Sequence, residues 1–166
     1  MNMKTANYTN QIFKEKFEIS EGSPIFENCI FEKGVEIKGN NKRYFTKGDE
    51  TSPIFKSCTF RSQVSEPSVV LWEGAHGEFH DCSMSTEKCV SIRIDVGSHA
   101  IFRNCSISAS HPCAVAIMIE SSGDLENCRF SIQENIERSI PLEPVYFDAN
   151  NKEKTRFSNC SFNKGQ

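Results

Sequence analysis

One short pattern constrains this chain more than any other feature. PIFENCIF, Pro24 to Phe31, returns as PIFKSCTF, GEFHDCSM, AIFRNCSI, GDLENCRF and TRFSNCSF. Its centres are Cys29, Cys58, Cys82, Cys105, Cys128 and Cys160, at intervals of 29, 24, 23, 23 and 32 residues. A motif returning at this kind of period marks stacked units, none of which buries its apolar face alone.

Three residues before each cysteine stands Phe26, Phe55, Phe79, Phe102, Leu125 or Phe157, and two after it Phe31, Phe60, Met84, Ile107, Phe130 or Phe162. Side chains alternate along a strand, so Cys and the residue two later share one face. The aromatic three before has the opposite parity, and it points the same way only if one residue turns the chain. The residue before Cys is Asn in four units (Asn28, Asn104, Asn127, Asn159) and Ser57 or Asp81 in the others. Asn and Asp tolerate the left-handed conformation that a one-residue corner needs. Asn side chains stacked at this corner are placed to hydrogen-bond from unit to unit.

A further strand lies upstream in most units: VVLWE (Val69 to Glu73), SIRID (Ser91 to Asp95), AIMIE (Ala116 to Glu120) and PVYFD (Pro144 to Asp148). Turns rich in Gly, Ser and His then lead to the Phe. Each unit therefore predicts three short strands in about 23 residues. No stretch after residue 20 carries a helical period.

The F-x-N-C-x-F corners, in a pattern running from about Phe17 to Phe162, resemble the right-handed parallel β-helix of the pectate lyase superfamily. The resemblance implies an all-β, single-stranded solenoid of about six coils, forming one domain over residues 1–166. At about 4.8 Å per coil such a rod is roughly 30 Å long. Residues 1–20, with NQIFKEKF, are expected as a short N-terminal cap over exposed strand edges. Glu32 to Ser52 and Gln133 to Val145 lengthen two units, and are expected as loops from the corner where the third strand returns to the first. Loops on a rigid scaffold are where binding usually resides. The superfamily includes polysaccharide lyases and hydrolases, phage tailspikes, adhesins and non-catalytic recognition modules, so the resemblance speaks to fold more than to function.

A net charge of −3 with scattered Lys and Arg argues against a nucleic-acid partner, which needs a clustered basic surface. Lys38, Lys42 and Arg43 read as a solvated loop. No segment has the apolar length of a membrane span, and MNMKTANYTNQIF lacks the apolar core of a cleaved secretory signal. The expectation is a cytoplasmic protein, or one exported without such a signal. Six of the eight cysteines share one place in the repeat, and no C-x-x-C pair occurs. They read as reduced, buried thiols that pack as small hydrophobes, rather than as disulfides or metal ligands.

Glu73, Asp95, Glu120 and Asp148 close the four upstream strands and read as an outward acidic column. Trp72, Ile94, Ile119 and Phe147 are then inward, and Leu71, Arg93, Met118 and Tyr146 outward. In enzymes of the superfamily the active groove follows this face, with carboxylates serving a metal or acid–base chemistry. Asp95, Glu120, Glu73 and Arg93 would be the catalytic set of such an enzyme, and calcium its implied cofactor. The plainer reading is a row of solvated strand ends that Arg93 neutralises. The signatures N-T-D, D-D and R-I-K are missing, and GAHG (Gly74 to Gly77) does not match a G-H-G. No catalytic residue, metal or cofactor is therefore assigned. His76, His80, His99 and His111 are placed in turns, and Cys89 and Cys113 in a second short stack.

The leading expectation is a non-catalytic recognition or assembly module that binds another protein through Leu71, Arg93, Met118, Tyr146 and Asp148, with the two long loops. The alternatives are a minimal carbohydrate-active or carbohydrate-binding protein, and a structural element joined end to end, as a homo-oligomer, through its C-terminal coil. A strand register wrong by one residue would bury the contact set and expose Trp72, Ile94 and Phe147 instead.

Overall fold

The computed structural model describes residues 5–40, 51–62, 65–87, 89–110, 114–118, 120–132, 145–148 and 152–164. Short strands follow one another in threes. The first coil holds β1 (Asn7–Thr9), β2 (Ile12–Phe13) and β3 (Phe17–Ile19), and the second β4 (Ile25–Glu27), β5 (Ile30–Phe31) and β6 (Val35–Lys38). The third holds β7 (Ile54–Lys56), β8 (Thr59–Ser62) and β9 (Val69–Trp72), and the fourth β10 (His76–His80), β11 (Ser83–Thr86) and β12 (Ile92–Ile94). The fifth holds β13 (His99–Arg103), β14 (Ser106–Ala109) and β15 (Val115–Ile117), and the sixth β16 (Ser122–Glu126), β17 (Arg129–Ile132) and β18 (Val145–Phe147). β19 (Arg156–Ser158) and β20 (Ser161–Lys164) begin a seventh. Like strands stack into three sheets of seven (A), seven (B) and six (C) strands. The pairings are parallel, so the chain is a parallel β-helix solenoid. A 3-10 turn spans Lys152–Lys154, and the described residues contain no α-helix.

The corner between sheets A and B has the predicted geometry. Asn28, Ser57, Asp81, Asn104, Asn127 and Asn159 all have φ between 50° and 55°. This one left-handed residue lets Phe26 and Phe31, on opposite parities, both point inward. The corner side chains also bond along the stack: Asn104 Nδ2 donates to Asp81 Oδ1 (3.1 Å) and Asn127 Nδ2 to Asn104 Oδ1 (3.3 Å).

Because like residues stand one strand spacing apart, the inner aromatics are forced face to face. Tyr8, Phe26, Phe55, Phe79 and Phe102 stack at 4.8, 5.0, 4.9 and 4.9 Å, and Phe13, Phe31 and Phe60 at 4.8 and 4.9 Å. These spacings match the distance between neighbouring strands. The two columns meet edge to face, as Phe55 and Phe60 do at 5.1 Å. Cys29, Cys58, Cys82, Cys105 and Cys128 fill the remaining side of the ladder and are buried. The cysteines of the described residues are free thiols; Cys113 lies outside those residues. Each ladder thiol also reaches the carbonyl of the aromatic or aliphatic residue one coil earlier, as Cys105 Sγ does to Phe79 O (3.4 Å) and Cys160 Sγ to Leu125 O (3.3 Å). Burial pushes the Cys29 thiol pKa up.

Two expectations change. The N-terminal stretch covers the end of the solenoid as a coil of the same plan: Tyr8, Asn10 (φ 54°) and Phe13 take the places of Phe26, Asn28 and Phe31. Gln11 stands where the ladder has Cys, which hid the match. The two long segments also leave from different corners. β6 lies within the first of them, so residues 39–53 run from sheet C to sheet A, whereas residues 133–144 run from sheet B to sheet C. A Cβ on Gly39 would fall on the backbone of Glu73 and Ala75, so the chain leaves β6 under the turn of the next unit where only glycine fits. Residues 41–50 and 133–144, Lys42 and Arg43 among them, lie outside the described residues.

Candidate functional site

The outer face of sheet C is set by the strand register. Leu71 pairs with Ile94, Ile94 with Ile117 and Ile117 with Phe147. Leu71 is therefore a core residue with no exposed surface, and the expectation that it faces out is corrected. Its neighbour Trp72, expected inside, lies half-buried on the outer face. Ile94 and Phe147 keep their expected inward direction, and Ile119 lies outside the described residues. The facing error is confined to β9, whose apolar residues occupy both parities, and Met118 keeps its expected outward side.

Two outward columns result. Glu18, Glu36, Val70, Arg93, Ala116 and Tyr146 form one through direct pairing. Trp72, Asp95, Met118 and Asp148 form the next, as the bonds from Asp95, Met118 and Asp148 N–H to the carbonyls of Leu71, Ile94 and Ile117 show. Arg93 and Tyr146 are exposed, the latter by 50 %. Met118 packs with Cys89 against Val90 and Ala116, an apolar cluster separate from the main core. Burial pushes the Cys89 thiol pKa up. Lys38 Nζ sits 4.7 Å from the Trp72 ring centroid, a cation–π contact, while the indole Nε1–H is buried without a hydrogen-bond partner among the described residues.

The four carboxylates do not form one column. Trp72 to Ala75 is a tight turn closed by Ala75 N–H to Trp72 O (3.3 Å), with Glu73 and Gly74 both at positive φ (56° and 78°). Glu120 (φ 55°) sits in the equivalent turn, closed by Ser121 N–H to Met118 O (3.0 Å). Glu73 and Glu120 are thus turn residues, whereas Asp95 and Asp148 stand at one level with Met118 between them. Strands two apart are about 9–10 Å apart. Asp95 accepts hydrogen bonds from Arg93 Nε and a terminal nitrogen of the same guanidinium (3.1 and 2.7 Å), and from Val96 N–H (2.9 Å). It braces a turn in which Val96 is itself left-handed (φ 48°). Glu73 Oε2 lies 3.7 Å from Lys38 Nζ. Among the described residues no three His, Cys, Asp or Glu side chains are grouped to hold a metal ion.

The three histidines among the described residues are on strands, not in turns. His76, His80 and His99 are on β10 and β13 and face out from sheet A, and His111 lies outside the described residues. Sequence reasoning passed over Ser122, Asp124 and Arg156, which join His99 on that face. Their signal was available: Asp124 and Arg156 each stand four residues before a ladder cysteine and so must be neighbours.

No protein-family model and no curated protein matches the sequence. No helix among the described residues is long and apolar enough to cross a membrane.

Proposed function

We propose that the chain is a non-catalytic recognition module of the pectate lyase-like kind, binding another protein across the outer face of sheet C. The observation that carries this reading is the composition of the two outward columns. Trp72, Met118, Arg93 and Tyr146 fall on neighbouring positions, and these residue types are enriched at binding hot spots and at the centres of interfaces. The carboxylates there support contact rather than chemistry, since Asp95 is committed to Arg93 and to its own turn. Both long segments connect to strands of sheet C, at its two different corners. Free ladder thiols agree with a reducing compartment.

The test is capture from extracts of the source cells by the immobilised chain, with bound proteins identified by mass spectrometry. Truncating one hot-spot residue typically costs about 2 kcal/mol, or about thirtyfold in affinity. Arg93→Ala, Met118→Ala and Tyr146→Ala combined should abolish capture while the circular dichroism stays unchanged. Ser106→Arg, on the outer face of sheet B, should leave capture intact. Capture retained by the triple variant refutes the assignment of this face.

A further inference from the structure

The outer face of sheet A gathers titratable groups that the contacts of sheet C do not use. His76 on β10 and His99 on β13 are register partners, with ring centroids 6.0 Å apart. On the far side of His99, Nδ1 lies 2.7 Å from Ser122 Oγ, and Nε2 lies 3.6 Å from Asp124 Oδ2. Asp124 is already engaged, accepting hydrogen bonds from Arg156 Nε (2.8 Å) and from a terminal nitrogen of the same guanidinium (3.0 Å). The side chains of His99 and Asp124 are only 28 % and 25 % exposed. The remaining titratable side chains on these strands are engaged with one another: Glu78 with His80 (3.1 Å) and Arg103 with Glu126 (3.2 Å). Lys56 on β7 stands in register with His80.

A neutral imidazole suits this setting. With its proton on Nε2 it faces the Asp124 carboxylate, and the bare Nδ1 accepts the Ser122 hydroxyl. One ring thus ties the fifth coil to the sixth while lying tilted beside His76 of the fourth. A second proton would turn Nδ1 into a donor against Ser122 and set a cation between His76 and Arg156, with one already shared carboxylate, Asp124, to offset it among the described residues.

We propose that His99, with His76 across from it, is an acid-sensitive clasp that joins the fourth, fifth and sixth coils at neutral pH and loosens as the pH falls through the histidine range. The pKa of His99 is depressed in the same sense, chiefly by burial, with Asp124 pulling it back up and His76 and Arg156 pushing it down. A base whose folded pKa lies below its unfolded value contributes stability in full above the unfolded value. That contribution is lost as the pH falls toward the folded value. The clasp is independent of any partner on sheet C.

The experiment is an NMR titration of the histidine rings in the full chain, from about pH 8 to about pH 5, with thermal unfolding over the same range. In the wild type His99 should titrate below the ordinary histidine value, and the unfolding midpoint should drop as the pH falls. Each tenfold by which protonation is disfavoured in the fold lowers the midpoint by about 3–5 °C. His76→Gln and Arg156→Gln should each raise the His99 pKa, a response that burial alone does not produce. His99→Gln should flatten the pH dependence of the midpoint. Titration of His99 at or above the free imidazole range, or an unchanged slope in His99→Gln, overturns the proposal. The wild-type titration decides the matter even where a variant folds poorly.

Discussion

Replacing Phe55 with alanine tests the idea that the stacked rings carry the fold. Phe55 has no exposed surface. It stacks between Phe26 and Phe79 at 5.0 and 4.9 Å and meets Phe31 and Phe60 edge-on at 5.7 and 5.1 Å. A buried Phe→Ala change costs about 3–5 kcal/mol, the larger values arising where the surroundings cannot collapse. Collapse is hindered here, because the coils above and below are held apart by their own strand ladders. Phe157 offers the internal comparison: it occupies the same column in the last coil, is 47 % exposed, and among the described residues its ring meets Phe147 at 6.1 Å. Its truncation should cost roughly half of a full burial, about 1 kcal/mol. In a stacked array a central unit also supports two interfaces and a terminal one only one. Urea unfolding followed by fluorescence of Trp72, the sole tryptophan, measures both. With a slope of about 2 kcal/mol/M, the midpoint should fall by about 2 M for Phe55→Ala and about 0.5 M for Phe157→Ala. Equal losses in the two variants at unchanged slope would show that the ring column is not what holds neighbouring coils together.

Two further outcomes follow from the corners and the thiols. Native-state alkylation read by mass spectrometry should spare Cys29, Cys58, Cys82, Cys105 and Cys128, which are buried, and label them only after unfolding; fast labelling of Cys105 would contradict its place in the ladder. Exchanging residue types between two left-handed positions should have opposite effects: Val96→Asn should stabilise by about 1 kcal/mol and Asn104→Val destabilise by at least as much, measured as shifts in the unfolding midpoint. Val96 is exposed, so its side chain contributes little packing to lose.

Much of the scaffold was legible because each coil repeats the same steric problem. Phe on one parity and Cys on the other require a one-residue turn, and Asn meets that requirement. The first coil escaped notice because Gln11 replaces the cysteine used to find the repeat, although Tyr8, Asn10 and Phe13 keep the spacing. The face of sheet C was misread for a related reason. Aligning the upstream strands on their acidic ends placed Trp72 with Ile94. Counting back from the cysteines instead gives Leu71, Ile94 and Ile117, each eleven residues before Cys82, Cys105 or Cys128. β9 (VVLW) carries apolar residues on both parities, so alternation alone cannot choose between its two registers.

By itself, then, the sequence determined the period, the one-residue corner and the identity of the inner ladders, because local backbone sterics and parity allow one answer there. Tertiary structure decided which side of sheet C faces solvent, since that choice depends on hydrogen-bond register between strands 23 residues apart. The cysteine spacing gives the register of His99, Ser122, Asp124 and Arg156, but tertiary structure decided that the His99 ring reaches Ser122 and Asp124 and that the Arg156 guanidinium binds the Asp124 carboxylate. Such contacts between coils exist only once the coils are stacked.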